Sequence, residues 1–134
     1  MEVASTGTAD VNVSSPYLSS QIMTTITDEY MMQMMTKTKA YCIVLLRPGP
    51  KINHPDLKKI TWEHARKNFQ LRTEGSMPIV CPVTVESDVN GIGIFDRTAE
   101  ETKKIMDEDP AVKEGIFIYE VLPCRSFPGD SLPA

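Results

Sequence analysis

The chain has 134 residues, 24% of them charged, and a formal net charge of −4. This length fits one domain and is sufficient to bury a hydrophobic core without disulfides or a metal ion. The composition argues against a nucleic-acid-binding protein, because the basic residues of segment 57–67 are interleaved with apolar residues and form no patch. No apolar run approaches the roughly 20 residues of a membrane-spanning helix, so we predict a protein without a membrane partner.

The first 36 residues differ in composition from the rest. They contain no Lys or Arg, eleven Ser or Thr, and six of the eight methionines. This composition favours a flexible N-terminal tail over 1–36, and the alternative is a short helix from about Asp28 to Met35 that packs on the domain. The methionine cluster also raises the hypothesis that the natural chain starts at Met34 or Met35.

Neither targeting signals nor paired cysteines are evident. The N-terminal segment lacks the basic start and apolar run of a signal peptide and the arginines of a transit peptide. Cys42, Cys81 and Cys124 are odd in number, show no CxxC spacing and lie in apolar surroundings, which is typical of free thiols in a reducing compartment. We therefore predict a cytoplasmic protein without nucleophilic cysteine chemistry.

Beyond the tail, strand and helix patterns alternate in chain order. "AYCIVLLR" is an apolar run ended by "PGP", and a helical pattern then runs from "HPD" to Gly75. A capping box from Thr98 to Glu101 opens the second helix. The predicted strands cover 40–47, 77–83, 89–95 and 115–122, and the predicted helices lie within 54–75 and 98–109. The chain from Pro123 onward is too rich in Pro, Gly and Ser to predict regular structure.

This order predicts an α+β fold, a ferredoxin-like β-α-β-β-α-β sandwich with two helices on one face of an antiparallel sheet. The domain is expected over 37–124, with a C-terminal tail over 125–134. The first and last strands are apolar at nearly every position, so both sheet faces should be covered. A second copy of the sheet is the simplest cover for the free face, which predicts a homodimer.

Three stretches carry a resemblance to a known family. They are "YCIVLLRPGP" at 41–50, "TWEHARKNFQLRTEG" at 61–75 and "GIFDRTAEETKKIMDEDPAVKEGIFIYEVLP" at 93–123. Together they resemble the YciI-like (YCII-related) family of dimeric α+β barrel proteins. The resemblance implies a homodimer without a cofactor, in which His64 and Asp109 face a small pocket as acid and base. The chain departs from the family pattern at Cys81-Pro82 and at Pro123-Cys124.

The helical period gives an independent prediction for the orientation of His64. At about 100° per residue, Leu57, Ile60, His64 and Leu71 share one apolar stripe, so His64 should point inward. A lone histidine on such a stripe is more often a core residue with satisfied nitrogens than a catalyst. A carboxylate partner favours catalysis, because a histidine base needs an acceptor that orients its ring.

Asp109 also has two interpretations. Asp followed by Pro is a preferred start of a helix, and "DPAVKEG" predicts one short helical turn that Asp109 caps and Gly115 ends. The residue also lies three and four positions after Met106 and Ile105, on the expected buried side of the second helix. Capping and catalysis are compatible, because one carboxylate oxygen can cap while the other reaches His64.

The remaining candidates are weaker. Arg47 ends the first strand, where its guanidinium could bind an anionic substrate or remain a surface group. A metal site formed by His54 and His64 matches no common ligand spacing, and no metal is predicted. Trp62 and Phe69, seven residues apart, are predicted to lie in the core.

These residues support two functional hypotheses. The first is a cofactor-independent acid/base enzyme, in which a His64–Asp109 pair moves a proton on a small, ring-shaped or anionic substrate in an isomerase- or lyase-like step. The second is a binding or structural module of the same fold without turnover, because fold alone does not imply function. Neither hypothesis requires heme, although related barrels include heme-degrading and monooxygenase branches.

Overall fold

The computed structural model describes residues 24–134. Its elements are α1 (Asp28–Met35), β1 (Lys39–Pro48), α2 (Leu57–Thr73), β2 (Ile79–Pro82), β3 (Gly91–Phe95), α3 (Ala99–Asp107), α4 (Pro110–Lys113) and β4 (Phe117–Ser126). Residues Lys39–Ser126 form one compact unit that contains the whole sheet. Within residues 24–134, no helix has the length and apolarity that crossing a membrane requires.

The four strands form one antiparallel sheet in the order β2-β3-β1-β4. Two helix-containing connections, from β1 to β2 and from β3 to β4, give the chain order β-α-β-β-α-β. The predicted ferredoxin-like fold is therefore confirmed, with α4 as a short additional turn after α3. The expected capping box at the start of α3 is present, since Thr98 and Glu101 each accept a backbone N–H of the other residue.

The predicted N-terminal tail falls mostly outside the described residues. Residues 1–23 are not described, so a flexible tail there stays a prediction. The part that is described contains α1, which spans the residues of the alternative interpretation. Thr27 begins this helix by accepting a hydrogen bond from the N–H of Tyr30 at 3.1 Å, and Asp28 and Glu29 favour the same end electrostatically.

One face of the sheet is packed against the helices. Along β1, the side chains of Cys42, Val44 and Leu46 are buried at alternate positions, as expected for a strand with one face in the core. Phe95 of β3 and Ile116 before β4 are fully buried. The helices add buried and partly buried side chains to the same core: Leu57, Ile60, Leu71, Ile105, Met106 and Ala111.

The opposite face of the sheet is apolar and partly exposed. Ile43 of β1 pairs with Ile94 of β3 and with Leu122 of β4, and side chains directly opposite one another share a face. Leu122 is 39% exposed, and Ile92 and Ile118 on the same face are 37% and 50% exposed. The expectation that two helices cover only one face therefore agrees with the structure.

Two sequence predictions are wrong. The chain after Pro123 is not irregular at once, because β4 continues to Ser126, where its residues pair with Lys39 to Cys42. Pro123 is tolerated because β4 is an edge strand. Trp62 and Phe69 are 66% and 68% exposed. They share a helical stripe, but that stripe lies on the opposite side of α2 from the stripe of His64.

Tyr119 joins β4 to the end of α3. Its hydroxyl donates a hydrogen bond to Asp107 Oδ1 at 2.7 Å. Burial, together with this hydrogen bond and the negative charge of Asp107, raises the pKa of Tyr119 from 10.0 to about 12. The folded chain therefore holds the phenolic proton more tightly than the unfolded chain.

This shift predicts a pH-dependent contribution to stability. The contribution of Tyr119 should be fully present below about pH 10 and should be lost as the pH rises through about 12. Urea unfolding of the wild type and of Tyr119→Phe at increasing alkaline pH checks this. We expect the difference in free energy of unfolding between the two proteins to shrink over that range, and a constant difference would contradict the assignment.

Candidate active site

His64 lies in the middle of α2 and points toward the sheet. Its side chain is 12% exposed, and its ring packs against the ring of Phe117 with centroids 5.2 Å apart. The inward position follows from the helical period, because the stripe of His64 also carries Ile60 and the buried Leu71. The predicted inward orientation of His64 therefore agrees with the structure.

Asp109 lies between α3 and α4 and is 2% exposed. It starts α4, since its Oδ2 accepts hydrogen bonds from the backbone N–H groups of Ala111 at 2.9 Å and Val112 at 3.2 Å. Pro110 follows at the first helical position, where its missing N–H carries no penalty. These local hydrogen bonds at the start of α4 therefore hold the Asp109 carboxylate in a fixed, buried position.

The structure brings these two side chains together from positions 45 residues apart. His64 Nδ1 lies 2.8 Å from Asp109 Oδ1 and 3.0 Å from Oδ2. Because an ionised carboxylate can only accept hydrogen bonds, Nδ1 must be the donor. A neutral His64 then has an unprotonated Nε2, which is the atom that can take a proton.

Asn68 is a site residue that the sequence analysis did not single out. Its Nδ2 lies 3.3 Å from His64 Nε2 and is placed to donate a weak hydrogen bond to that atom. Asn68 comes one helical turn after His64, so the i,i+4 spacing could have indicated the contact. The contact supports the same tautomer, since Nε2 must then act as an acceptor.

His64 and Asn68 line a cavity of about 270 Å³ between α2 and the sheet. This is larger than the ~150 Å³ apolar cavity that can hold benzene. Its walls are mainly apolar, and they include Val44, Leu46, Met77, Val80, Phe95, Met106 and Phe117. The lining also includes Cys81, Pro82 and Ile92, at the edge formed by β2 and β3.

Arg47 is not among the residues that line this cavity. Its side chain belongs to the opposite sheet face, where Nη1 lies 3.4 Å from Asp88 and Nη2 lies 3.3 Å from Glu120. The guanidinium is therefore already paired with two carboxylates. A substrate-binding role for Arg47 stays a prediction, and the structure does not place this residue with His64.

The second histidine lies apart from this pair. His54 Nδ1 accepts a hydrogen bond from the N–H of Asp56 at 2.9 Å, and its Nε2 lies 3.4 Å from Glu114. In the described part of the chain, no three His, Cys, Asp or Glu side chains are grouped so as to hold a metal ion.

The cysteines have three different environments. Cys42 is buried, Cys81 is exposed and Cys124 is partly buried, and all three are free thiols. Burial, with a smaller contribution from Cys42, raises the pKa of the Cys124 thiol. A raised pKa leaves less thiolate, so Cys124 is a poor nucleophile.

Comparison with known proteins gives structural similarity but no sequence family. No protein-family model matches the chain, and no curated protein matches it. Among solved structures, the chain is similar to 5-chloro-2-hydroxyhydroquinone dehydrochlorinase from Burkholderia phenoliruptrix in complex with 2,5-dihydroxybenzoquinone. The two chains are 16% identical, the match covers 61% of this chain and 90% of the other, and the TM-score is 0.45.

Proposed function

We propose that this protein catalyses proton transfer on a small, uncharged, ring-shaped substrate, with His64 as the general base and Asp109 as its partner. The observation that supports this is the buried His64–Asp109 hydrogen bond beside an apolar cavity. Asp109 fixes the ring of His64 so that Nε2 is unprotonated, and its charge stabilises the imidazolium that forms when Nε2 takes a proton.

The step needs no group beyond these side chains. Nε2 removes a proton from a ring carbon next to a carbonyl, and the electron pair of the C–H bond moves toward the carbonyl oxygen as an enolate forms. The imidazolium then returns the proton to another atom of the substrate, which completes an isomerisation. Where the neighbouring carbon carries a leaving group, the electron pair of the enolate instead forms a C=C bond to that carbon, the carbonyl is restored, and the leaving group departs with its bonding electrons, which completes an elimination.

The cavity supports an uncharged ring over an anionic substrate. No Lys or Arg side chain is among its lining residues, and most of the wall is apolar. A charged ligand would lose its hydration there without gaining an opposite charge, which is unfavourable. Of the two substrate classes that the sequence suggests, we therefore propose the ring-shaped one.

The proposed reaction can be tested without knowing the natural substrate. The probes are small, uncharged ring ketones with slowly exchanging α-protons, such as cyclohexanone and cyclopentanone, incubated with the protein in D₂O. We expect the wild type to accelerate deuterium incorporation above the buffer rate for at least one probe, measured by proton NMR. Exchange at the buffer rate for the whole panel would contradict the proposal and favour a binding module without turnover.

We also propose that the chain belongs to the YciI-like family and forms its homodimer through the open sheet face. The apolar, partly exposed surface that includes Ile92, Ile118 and Leu122 supports this assembly, since two such faces could bury one another as a sheet-on-sheet core. The confirmed β-α-β-β-α-β order and the pairing of His64 with Asp109 support the family assignment.

The dimer proposal predicts a specific effect of charge on this face. Leu122→Lys should convert the dimer to a monomer, because it places a charge in the proposed apolar interface. Phe69→Lys is the matched control, since Phe69 is also an exposed apolar residue but lies on the outer side of α2. Sedimentation velocity at micromolar concentration checks both variants, and a monomeric wild type would contradict the proposal.

A further inference from the structure

Asn68 places an amide N–H group beside the proposed base. Its Nδ2 lies 3.3 Å from His64 Nε2, and both side chains line the same cavity. Nδ2 carries two hydrogen atoms, and a hydrogen bond of this length to Nε2 is weak. The amide can therefore give up this contact for a shorter hydrogen bond to a ligand oxygen at little cost in free energy.

Proton removal next to a carbonyl needs a donor of this kind. As the enolate forms, negative charge develops on the carbonyl oxygen, and an apolar cavity leaves that charge poorly solvated. The described residues that line the cavity include no Lys or Arg. The carbonyl oxygen is only two bonds away from the carbon that loses the proton, so its donor has to lie close to the base. The 3.3 Å spacing of Nδ2 and Nε2 meets this requirement.

We propose that Asn68 is a second catalytic residue, whose Nδ2–H group donates a hydrogen bond to the carbonyl oxygen of the ligand and stabilises the enolate. The inference rests on the proposed function, because it assigns the oxygen-binding group of the same proton-transfer step. It also narrows the ligand class to single rings that carry an oxygen next to the carbon that loses the proton.

The change in protonation of His64 favours this hydrogen bond during the reaction. Before the step, Nε2 is unprotonated and can accept from Nδ2. Once Nε2 has taken the proton from the ring carbon, both nitrogens carry hydrogens, and neither can accept from the other. The electron pair of the C–H bond has then moved toward the carbonyl oxygen, which becomes the acceptor for Nδ2. This hydrogen bond is stronger in the transition state than with the bound ketone, as catalysis requires.

The first test measures deuterium exchange of the ring ketone that the wild type accelerates most. Asn68→Leu removes the donor but keeps a side chain of similar size, and we expect it to lower the exchange rate at saturating ketone by about 10²-fold. Gln70→Leu is the matched control, because Gln70 is an exposed amide on the same helix, and its rate should equal that of the wild type. An unchanged rate in Asn68→Leu would overturn the proposal.

The second test does not depend on turnover. 4-Nitrophenol is a single-ring molecule whose oxygen becomes negative on ionisation, as the enolate oxygen does, and its absorbance reports the ionised fraction. We expect Asn68→Leu to lower the ratio of bound phenolate to bound phenol by about 10-fold at a fixed pH, since a hydrogen bond to a charged oxygen is lost. Gln70→Leu should leave the ratio unchanged. Circular dichroism shows whether each variant is folded, and Asn68→Ala replaces Asn68→Leu if leucine prevents folding.

The 4-nitrophenol ratio also separates direct contact from an effect through His64. If Nδ2 contacts the ligand oxygen, Asn68→Leu should lower the ratio by a similar factor in a His64→Gln background. An effect that disappears in that background, an equal ratio with and without the Asn68 amide, or a wild type that does not bind 4-nitrophenol would overturn the proposal. Failure of the proposed function is a separate result: an Asn68-dependent ratio without catalysed exchange in the wild type keeps the oxygen-binding group and loses the reaction.

Discussion

Replacing Asp109 with alanine is expected to lower the free energy of unfolding by about 3 kcal/mol. The carboxylate accepts two backbone N–H groups at the start of α4 and the Nδ1–H of His64. Alanine removes the cap, which typically costs about 1 kcal/mol, and leaves buried donors unpaired, which costs about 1–3 kcal/mol. Urea denaturation followed by circular dichroism measures the change.

Two further variants separate the causes of this loss. Asp109→Asn keeps a good capping side chain and should lose only about 1 kcal/mol. Glu108→Gln removes the same negative charge one residue earlier, at an exposed position paired with Lys113, and should change stability by less than about 0.5 kcal/mol. If Asp109→Ala were no more destabilising than Glu108→Gln, the carboxylate would not have the structural role that its contacts indicate.

Replacing His64 with glutamine is expected to reduce catalysed deuterium exchange of a ring ketone by about 10²- to 10⁴-fold, the usual contribution of a positioned general base. Glutamine retains hydrogen-bonding capacity toward Asp109 and much of the side-chain volume, but its amide cannot act as a base at neutral pH. We therefore expect the fold to survive. The exchange rate of the ketone that the wild type accelerates most is the measured quantity.

His54→Gln provides the matched control for this experiment. It is the same substitution at the other histidine of the chain, which is not among the residues lining the cavity. Its exchange rate should equal that of the wild type. Equal losses in both variants, or no loss in His64→Gln, would mean that the exchange does not proceed through His64.

Much of the fold was predictable because its signals are local. The capping residues Thr98 and Asp109 and the terminating Gly115, whose φ is +76°, mark helix boundaries in the sequence itself. The apolar run of β1, ended by "PGP", marked the first strand in the same way. The continuation of β4 to Ser126 was not predictable in this way, because its Pro-rich sequence is regular only where the start of β1 pairs with it.

The candidate site was predictable only in part. Periodicity indicated that His64 points inward, and the family resemblance suggested Asp109 as its partner across 45 residues. The strand residues that line the cavity, such as Val80 and Gly93, were not predictable, because their place on its wall depends on how β1, β2 and β3 come together. The same sheet geometry directs Arg47 to the face opposite the cavity, which chain order alone does not show.

Asp109 should hold neutral His64 with its proton on Nδ1 and with Nε2 unprotonated. The most direct measurement is a long-range ¹H–¹⁵N NMR spectrum of the histidine rings at about pH 8.5, where imidazoles are usually neutral. His54 serves as an internal contrast, because its Nδ1 already accepts the N–H of Asp56, so its proton should lie on Nε2.

We predict that wild-type His64 carries its proton on Nδ1 and that Asp109→Asn moves it to Nε2. In that variant the single amide oxygen is needed by the N–H groups of Ala111 and Val112, so the amide NH₂ faces His64 and donates to Nδ1. A wild-type His64 with its proton on Nε2, or a tautomer that does not respond to Asp109→Asn, would contradict the account.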